Sequence, residues 1–149
     1  LDVFTKEVLP MAITGSTLAS VVASFSTITS AQVQQGATDA CFSDKLLKTT
    51  ASWAGGCSST LDPKSNPDIR FVVSGIAPAR PFDVYTKIID TVAGNSNTSG
   101  ITLEGQGAAE SQTGLITAQH FPYMYRMEVQ SERQNDASEK ANFTVLYAY

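Results

Sequence analysis

Charge is scarce in this sequence. Asp, Glu, Lys and Arg make up 16% of its 149 residues, well below the usual quarter of a soluble chain. The ten Lys and Arg are scattered. No basic run or stripe is present to neutralise phosphates, so a nucleic-acid partner is not expected. A polybasic patch for an anionic membrane surface is missing as well. Histidine occurs once, at His120, and cysteine only twice, without a CxxC pair. Ligand spacing for a metal is therefore absent, and no metal or cofactor is expected.

The motifs of common catalytic sites are also missing. No GxSxG elbow occurs, and Gly105-Gln106-Gly107 lacks the third glycine and the following helix of a dinucleotide fingerprint. His120, beside Phe121-Pro122, reads as a loop or sheet-edge histidine rather than a general base. The pairs Asp62/Asp68 and Glu104/Glu110 sit in stretches that read as loops, where carboxylates more often solvate a surface. Asp62, Asn66 and Asp68 cluster without the EF-hand pattern. The expectation is a chain that is not an enzyme. No basic n-region precedes an apolar run, so no signal peptide is read. Membrane contact is expected only through an N-terminal anchor removed ahead of Leu1.

What is abundant is apolar and small polar residue. Hydrophobic residues make up 42% of the chain, enough for a core. The length suits one domain, 1–149, in three stretches: 1–36 a helix or assembly segment, 37–68 a disulfide-stapled loop region, 69–149 an antiparallel sheet. From Val8 to Thr38 no charge occurs. Val8–Ile28 is about long enough to span a bilayer, but Pro10, Gly15 and many Ser and Thr favour a core helix or an inter-subunit segment. Residues 5–35 read as helical. Leu18, Val21, Val22, Phe25 and Ile28 recur at helical steps, and Leu9 and Ile13 extend that stripe. Gly36 reads as a stop signal. A strand over Phe25–Val33 is the competing reading, because Thr and Val lower helix propensity. The expected assembly interface is Leu9, Ile13, Leu18, Val22, Phe25 and Ile28.

Cys41 and Cys57 suit a disulfide in an oxidising compartment. The alternative is two buried thiols. Gly55-Gly56 lets the backbone turn just before the second cysteine. Asp39–Trp53 reads as a short second helix with Phe42, Leu46, Leu47 and Trp53 on its apolar side and Asp39 and Asp44 near its start. Gly55–Asp68 is a loop.

Beyond residue 68 the pattern turns to strands. Ile69–Ile76 reads as one, ended by Pro78 and Pro81. Phe82–Val92 fits either a strand or a short helix. Asn95–Gly100 reads as a turn or loop, Ile101–Leu103 as a brief strand, and Glu104–Thr113 as a loop. Tyr123, Tyr125, Met127 and Val129 alternate with Met124, Arg126, Glu128 and Gln130, the period of a strand with one buried face. Glu132–Lys140 reads as an exposed hairpin loop, and Ala141–Tyr149 as a final strand. Tyr123, Tyr125, Tyr147 and Tyr149 either pack under the helix or form an outward platform for a sugar ring or a partner protein. Asn97-Thr98-Ser99 and Asn142-Phe143-Thr144 match the glycosylation acceptor pattern. The fold class expected is α+β, an N-terminal helix packed on a small antiparallel sheet.

The stretch Tyr123-Met124-Tyr125-Arg126-Met127-Glu128-Val129, a polar gap, then Ala141-Asn142-Phe143-Thr144-Val145-Leu146-Tyr147 resembles the C-terminal hairpin of PilX-like type IV minor pilins. Arg70-Phe71-Val72-Val73 could match an earlier strand of their sheet. The likeness covers about a quarter of the chain. The chain departs from the family plan in two places: Glu7 is followed by a Ser- and Thr-rich segment rather than a strongly apolar helix, and the cysteines sit early. The resemblance implies a pilin-like fold and a structural or accessory subunit of an extracellular fibre. Its partners would be other subunits of a surface assembly, in an extracellular or periplasmic setting. A secreted ligand- or glycan-binding module using exposed tyrosines is the alternative.

Overall fold

The computed structural model describes residues 10, 14–28, 32–74, 76–94, 102–104, 115–117 and 121–148. In chain order these form α1 (Leu18–Ile28), β1 (Gln32–Gln35), α2 (Asp39–Leu47), a 3-10 turn (Thr50–Ser52), β2 (Ile69–Val73), β3 (Phe82–Val92), β4 (Thr102–Glu104), β5 (Leu115–Thr117), β6 (Met124–Arg133) and β7 (Asp136–Ala148). Strands β1-β2-β3-β6-β7 make one five-stranded sheet in that order, and β4 pairs with β5 apart from it. Every pairing is antiparallel. The fold is α+β.

The helical reading of 5–35 is corrected at its end. A turn at Thr14-Gly15 precedes α1, and Gln32–Gln35 is a strand. Thr17 caps the start of α1, accepting from the Ser20 backbone N–H at 3.2 Å. Asp39, at the head of α2, reaches back to accept from the Leu18 N–H at 2.8 Å. One carboxylate thus ties the first turn of one helix to that of the next. Residues 1–9, 11–13 and 29–31 lie outside the described part. Among the described residues no helix is long and apolar enough to cross a membrane.

Gly36 ends β1, not a helix. A Cβ there would meet the Pro67 carbonyl oxygen at 2.1 Å. Only glycine lets the two backbones cross so closely, and the crossing carries hydrogen bonds from Gly36 N and Ala37 N to Asp68 O.

Phe82–Val92 resolves as a strand, because β2 and β6 flank it and both pair with it. Its β-branched residues suit that setting. The pairing with β6 shifts register between Ile88 and Asp90. On its other side β2 ends opposite Thr86, and the Ile88 N–H donates instead to Asp68 Oδ2 at 2.7 Å.

Asp68 is the polar centre of the interior. Its Oδ1 takes the Lys45 ammonium at 2.6 Å, with both side chains almost fully buried, at 1% and 4% exposure. Lys45 also lies over the Trp53 ring, 5.4 Å from its centre. Burial pushes the Asp68 carboxyl above its ordinary value, and the Lys45 charge pulls against that rise. The pair binds α2 to the sheet beside a core of Leu18, Val21, Val33, Phe42, Leu46, Ile69, Ile88, Tyr125 and Met127. Of the expected apolar side of α2, Phe42 and Leu46 are buried, whereas Leu47 is exposed. Trp53 reaches the core from beyond the 3-10 turn rather than from the helix.

The polar stretch Glu132–Lys140 is not an exposed loop. The turn is only Gln134-Asn135, with Asn135 at φ 63°, a conformation asparagine tolerates. The flanking residues are strand, and Glu132 is buried. Lys64 Nζ reaches Glu132 at 2.7 Å and neutralises it there.

Candidate interaction surface

Among the described residues, the side chains expected to face a partner turn inward. Leu18 is core, and Val22 is partly buried against it. Tyr125 is 1% exposed, and its hydroxyl donates to the Leu46 carbonyl at 2.8 Å. Tyr123 and Tyr147 stack on its two sides, with ring centres 6.4 and 6.5 Å away. Both are half-buried against the core. Three of the four tyrosines therefore form one row beneath the helices, and Tyr125 cannot serve a ligand platform. These tyrosines thus follow the packed alternative, and Leu18 and Val22 are turned inward for the same reason. The helices pack on the face of the sheet that carries Ile69, Ile88, Met127 and Tyr125, so Leu18, Val21 and Val22 of α1 meet their own chain. Leu9, Ile13, Tyr149 and His120 lie outside the described residues, as do the side chains of Phe25 and Ile28.

The opposite face has a different cover. Cys41 and Cys57 form a disulfide. Gly56, at φ 100°, makes the sharp turn ahead of Cys57 that favours glycine. From there the chain crosses Lys87, which is itself buried. The Lys87 ammonium donates to Thr60 Oγ1 at 2.6 Å, Ser65 O at 2.8 Å and Asp62 O at 3.4 Å. An internal cation thus sits in a cage of loop oxygens. Its burial, then the nearby Lys45 charge, hold its pKa below the ordinary lysine value. Leu61, Asp62 and Pro63 overhang Glu128, Gln130 and Asn142, leaving an open groove of about 350 Å³. The acids at this groove are already engaged. Glu128 accepts from the Thr144 hydroxyl, and Asp62 accepts from Ser65 Oγ and Lys64 N.

Asp62, Asn66 and Asp68 do not converge, because Asp68 turns inward to Lys45 while Asp62 closes its own loop. Among the described residues no group of three His, Cys, Asp or Glu is placed to hold a metal ion. The Ser65 hydroxyl, chiefly, holds the Asp62 carboxyl below its ordinary 3.8. Below that value the unfolded chain binds more protons than the folded one, so stability falls with falling pH. The melting-temperature deficit of Asp62→Asn should therefore be full above pH 3.8 and close as pH drops further. A deficit independent of pH in a thermal-melt series would show that the charge is irrelevant.

Past the loop, the same face shows apolar side chains. Val92 pairs with Met124, and Met124 with Ala148. Directly paired residues share a face, and Leu146 lies two positions from Ala148 on it. Val92, Met124 and Leu146 are all exposed, Leu146 at 71%. β7 also closes the sheet order, so its outer edge has no strand partner among the described residues. On the helix-covered face it adds Phe143, 57% exposed. The sequence did hold a signal for this surface. Met124 occupies the solvent phase of an alternation whose other members are Arg126, Glu128 and Gln130, and an apolar residue there is out of place.

No protein family, no curated protein sequence and no solved structure matches the chain.

Proposed function

We propose that this chain is a packing subunit of an extracellular fibre, acting through protein–protein contacts in the manner of a type IV minor pilin. The observation that carries this reading is the exposed apolar row Val92–Met124–Leu146, which crosses three adjacent strands at one end of the sheet. Apolar side chains in contiguous array mark contact surfaces more than isolated ones do. The disulfide adds support, since such bonds persist outside the reducing cytosol. A helix layered on an antiparallel sheet is also the general plan of the pilins that the C-terminal hairpin resembles. The contact surface differs from the one expected of the N-terminal stripe, because Leu18 and Val21 belong to the interior. Removal of residues 1–36 would then unfold the domain rather than merely block assembly.

Antibody raised against the folded chain should decorate filaments sheared from the native cells. Labelling confined to a cytosolic or freely soluble fraction would remove the reading. Val92→Ser combined with Met124→Ser should reduce the chain's incorporation into filaments while leaving its melting temperature within a few degrees of the parent, as expected for exposed sites. Unchanged incorporation would show that the row is not the contact.

A further inference from the structure

The two edges of the sheet differ in a way that points to a partner. Exposed edges are normally blunted by shortness, proline, charge or a bulge. β1 is blunted by shortness, with four residues. β7 has thirteen. From Ala141 to Ala148 it carries no charge and no proline, and its pairing with β6 runs there without a register shift. Phe143 and Leu146 flank this edge on opposite faces, and both are more than half exposed.

We propose that β7 pairs antiparallel with β7 of a second copy of this chain, joining two five-stranded sheets into one. The edge calls for an extended strand, since only a strand satisfies a row of alternating backbone donors and acceptors. The mismatch between the edges selects which strand. Head-to-tail pairing of β7 on β1 would engage only the four residues of β1 and leave most of β7 bare. Two-fold pairing uses the same long strand on both sides and closes at two copies.

The charge pattern fits this choice. No like charges oppose one another when Ala141–Tyr147 pairs with itself, and such oppositions are what destabilise strand pairs. With the axis at Thr144, Phe143 faces Val145 and Ala141 faces Tyr147, while Asn142 faces Leu146 on the other side. Aromatic side chains then meet β-branched or small ones across the axis. The shared strip, Ala141–Tyr147, is seven residues long, about 23 Å at ~3.3 Å per residue, and one strand wide. Its buried area falls in the class below about 1,200 Å². The dimer is therefore reversible and appears with concentration.

This pairing uses the β7 edge, which has no strand partner among the described residues, and shares only Leu146 with the Val92–Met124–Leu146 row. The purified chain tests it with no fibre present. Sedimentation equilibrium from about 1 μM to about 1 mM, the range of weak association, should show a monomer–dimer equilibrium. Hydrogen exchange over 141–148 should slow as the dimer forms. Phe143→Lys with Leu146→Lys should weaken the dimer about tenfold or more, as charge on an edge does, with the dilute melting temperature retained. Three results would each overturn the proposal: a monomer throughout the range, a dimer indifferent to the double substitution, or a dimer in which β7 exchange is unchanged. If the double substitution fails to fold, exchange over 141–148 in the parent chain decides alone.

Discussion

Asp68→Ala is expected to lower the unfolding free energy by about 3–5 kcal/mol, the cost of leaving one buried charge without its partner. The substitution acts at two atoms. Lys45 Nζ loses its 2.6 Å anion while remaining almost wholly buried. The Ile88 N–H loses the carboxylate that serves it where β2 has ended. An unsatisfied buried donor adds its own desolvation penalty. Urea denaturation should show a lower midpoint with an unchanged slope, since the buried surface is otherwise retained. Lys45→Met together with Asp68→Leu should recover the part due to the unpaired lysine, because an apolar pair of similar bulk needs no desolvation of charge, while the Ile88 N–H stays without its acceptor. A loss below about 1 kcal/mol in Asp68→Ala, the scale of an exposed ion pair, would mean that Lys45 reaches water in solution.

Loss of the Cys41–Cys57 disulfide is the second large effect. Cys41→Ser with Cys57→Ser should cost about 3 kcal/mol through the loop-closure entropy of the unfolded chain. For a chain of this size that corresponds to roughly 10 °C in melting temperature. The loss should also be local. Cys57 anchors the start of the segment whose Thr60, Asp62 and Ser65 oxygens hold Lys87. Residues 58–66 should therefore exchange amide hydrogens faster in the variant, ahead of the strands. A uniform acceleration across the sheet would show that the bond constrains only the unfolded chain. A melting temperature unchanged by reduction would show that the loop is held without it.

The two effects explain why one face of the sheet needs helices and the other only a loop. On the helix side the sheet presents Ile69, Ile88, Met127 and Tyr125, which require an apolar cover. On the other it presents Tyr85, Lys87, Gln130 and Glu132: loop oxygens accept from Lys87, Glu132 accepts from Tyr85 and Gln130, and Lys64 pairs with Glu132. The loop does not extend to the Val92–Met124 end, and the chain there shows an apolar surface to its surroundings.

Elements with an unambiguous local code were legible in advance. The alternation through Tyr123–Gln130 identified β6 and its buried phase, since a period of two has one structural meaning. The cysteine pair identified the staple. Ile69–Ile76 and Ala141–Tyr149 identified strands by their β-branched and aromatic content. The misreadings came where local pattern and tertiary partner disagreed. Gln32–Gln35 has little strand propensity beyond Val33 and is held extended by pairing with Ile69–Val72. Glu132–Lys140 looked like solvent-facing loop because it is polar. Strand pairing and the Lys64 contact instead bring Glu132 into the fold.

The sequence by itself determined the α+β class, the cysteine pair that forms the disulfide and the last two strands, because each follows from the pattern along one chain. Only the tertiary structure decided that Leu18 and Val21 are interior, that Lys45 finds Asp68, and that the outer edge of β7 has no strand partner among the described residues. Those outcomes depend on which surfaces meet across the sheet, and helical or strand periodicity marks an apolar face without naming what will cover it.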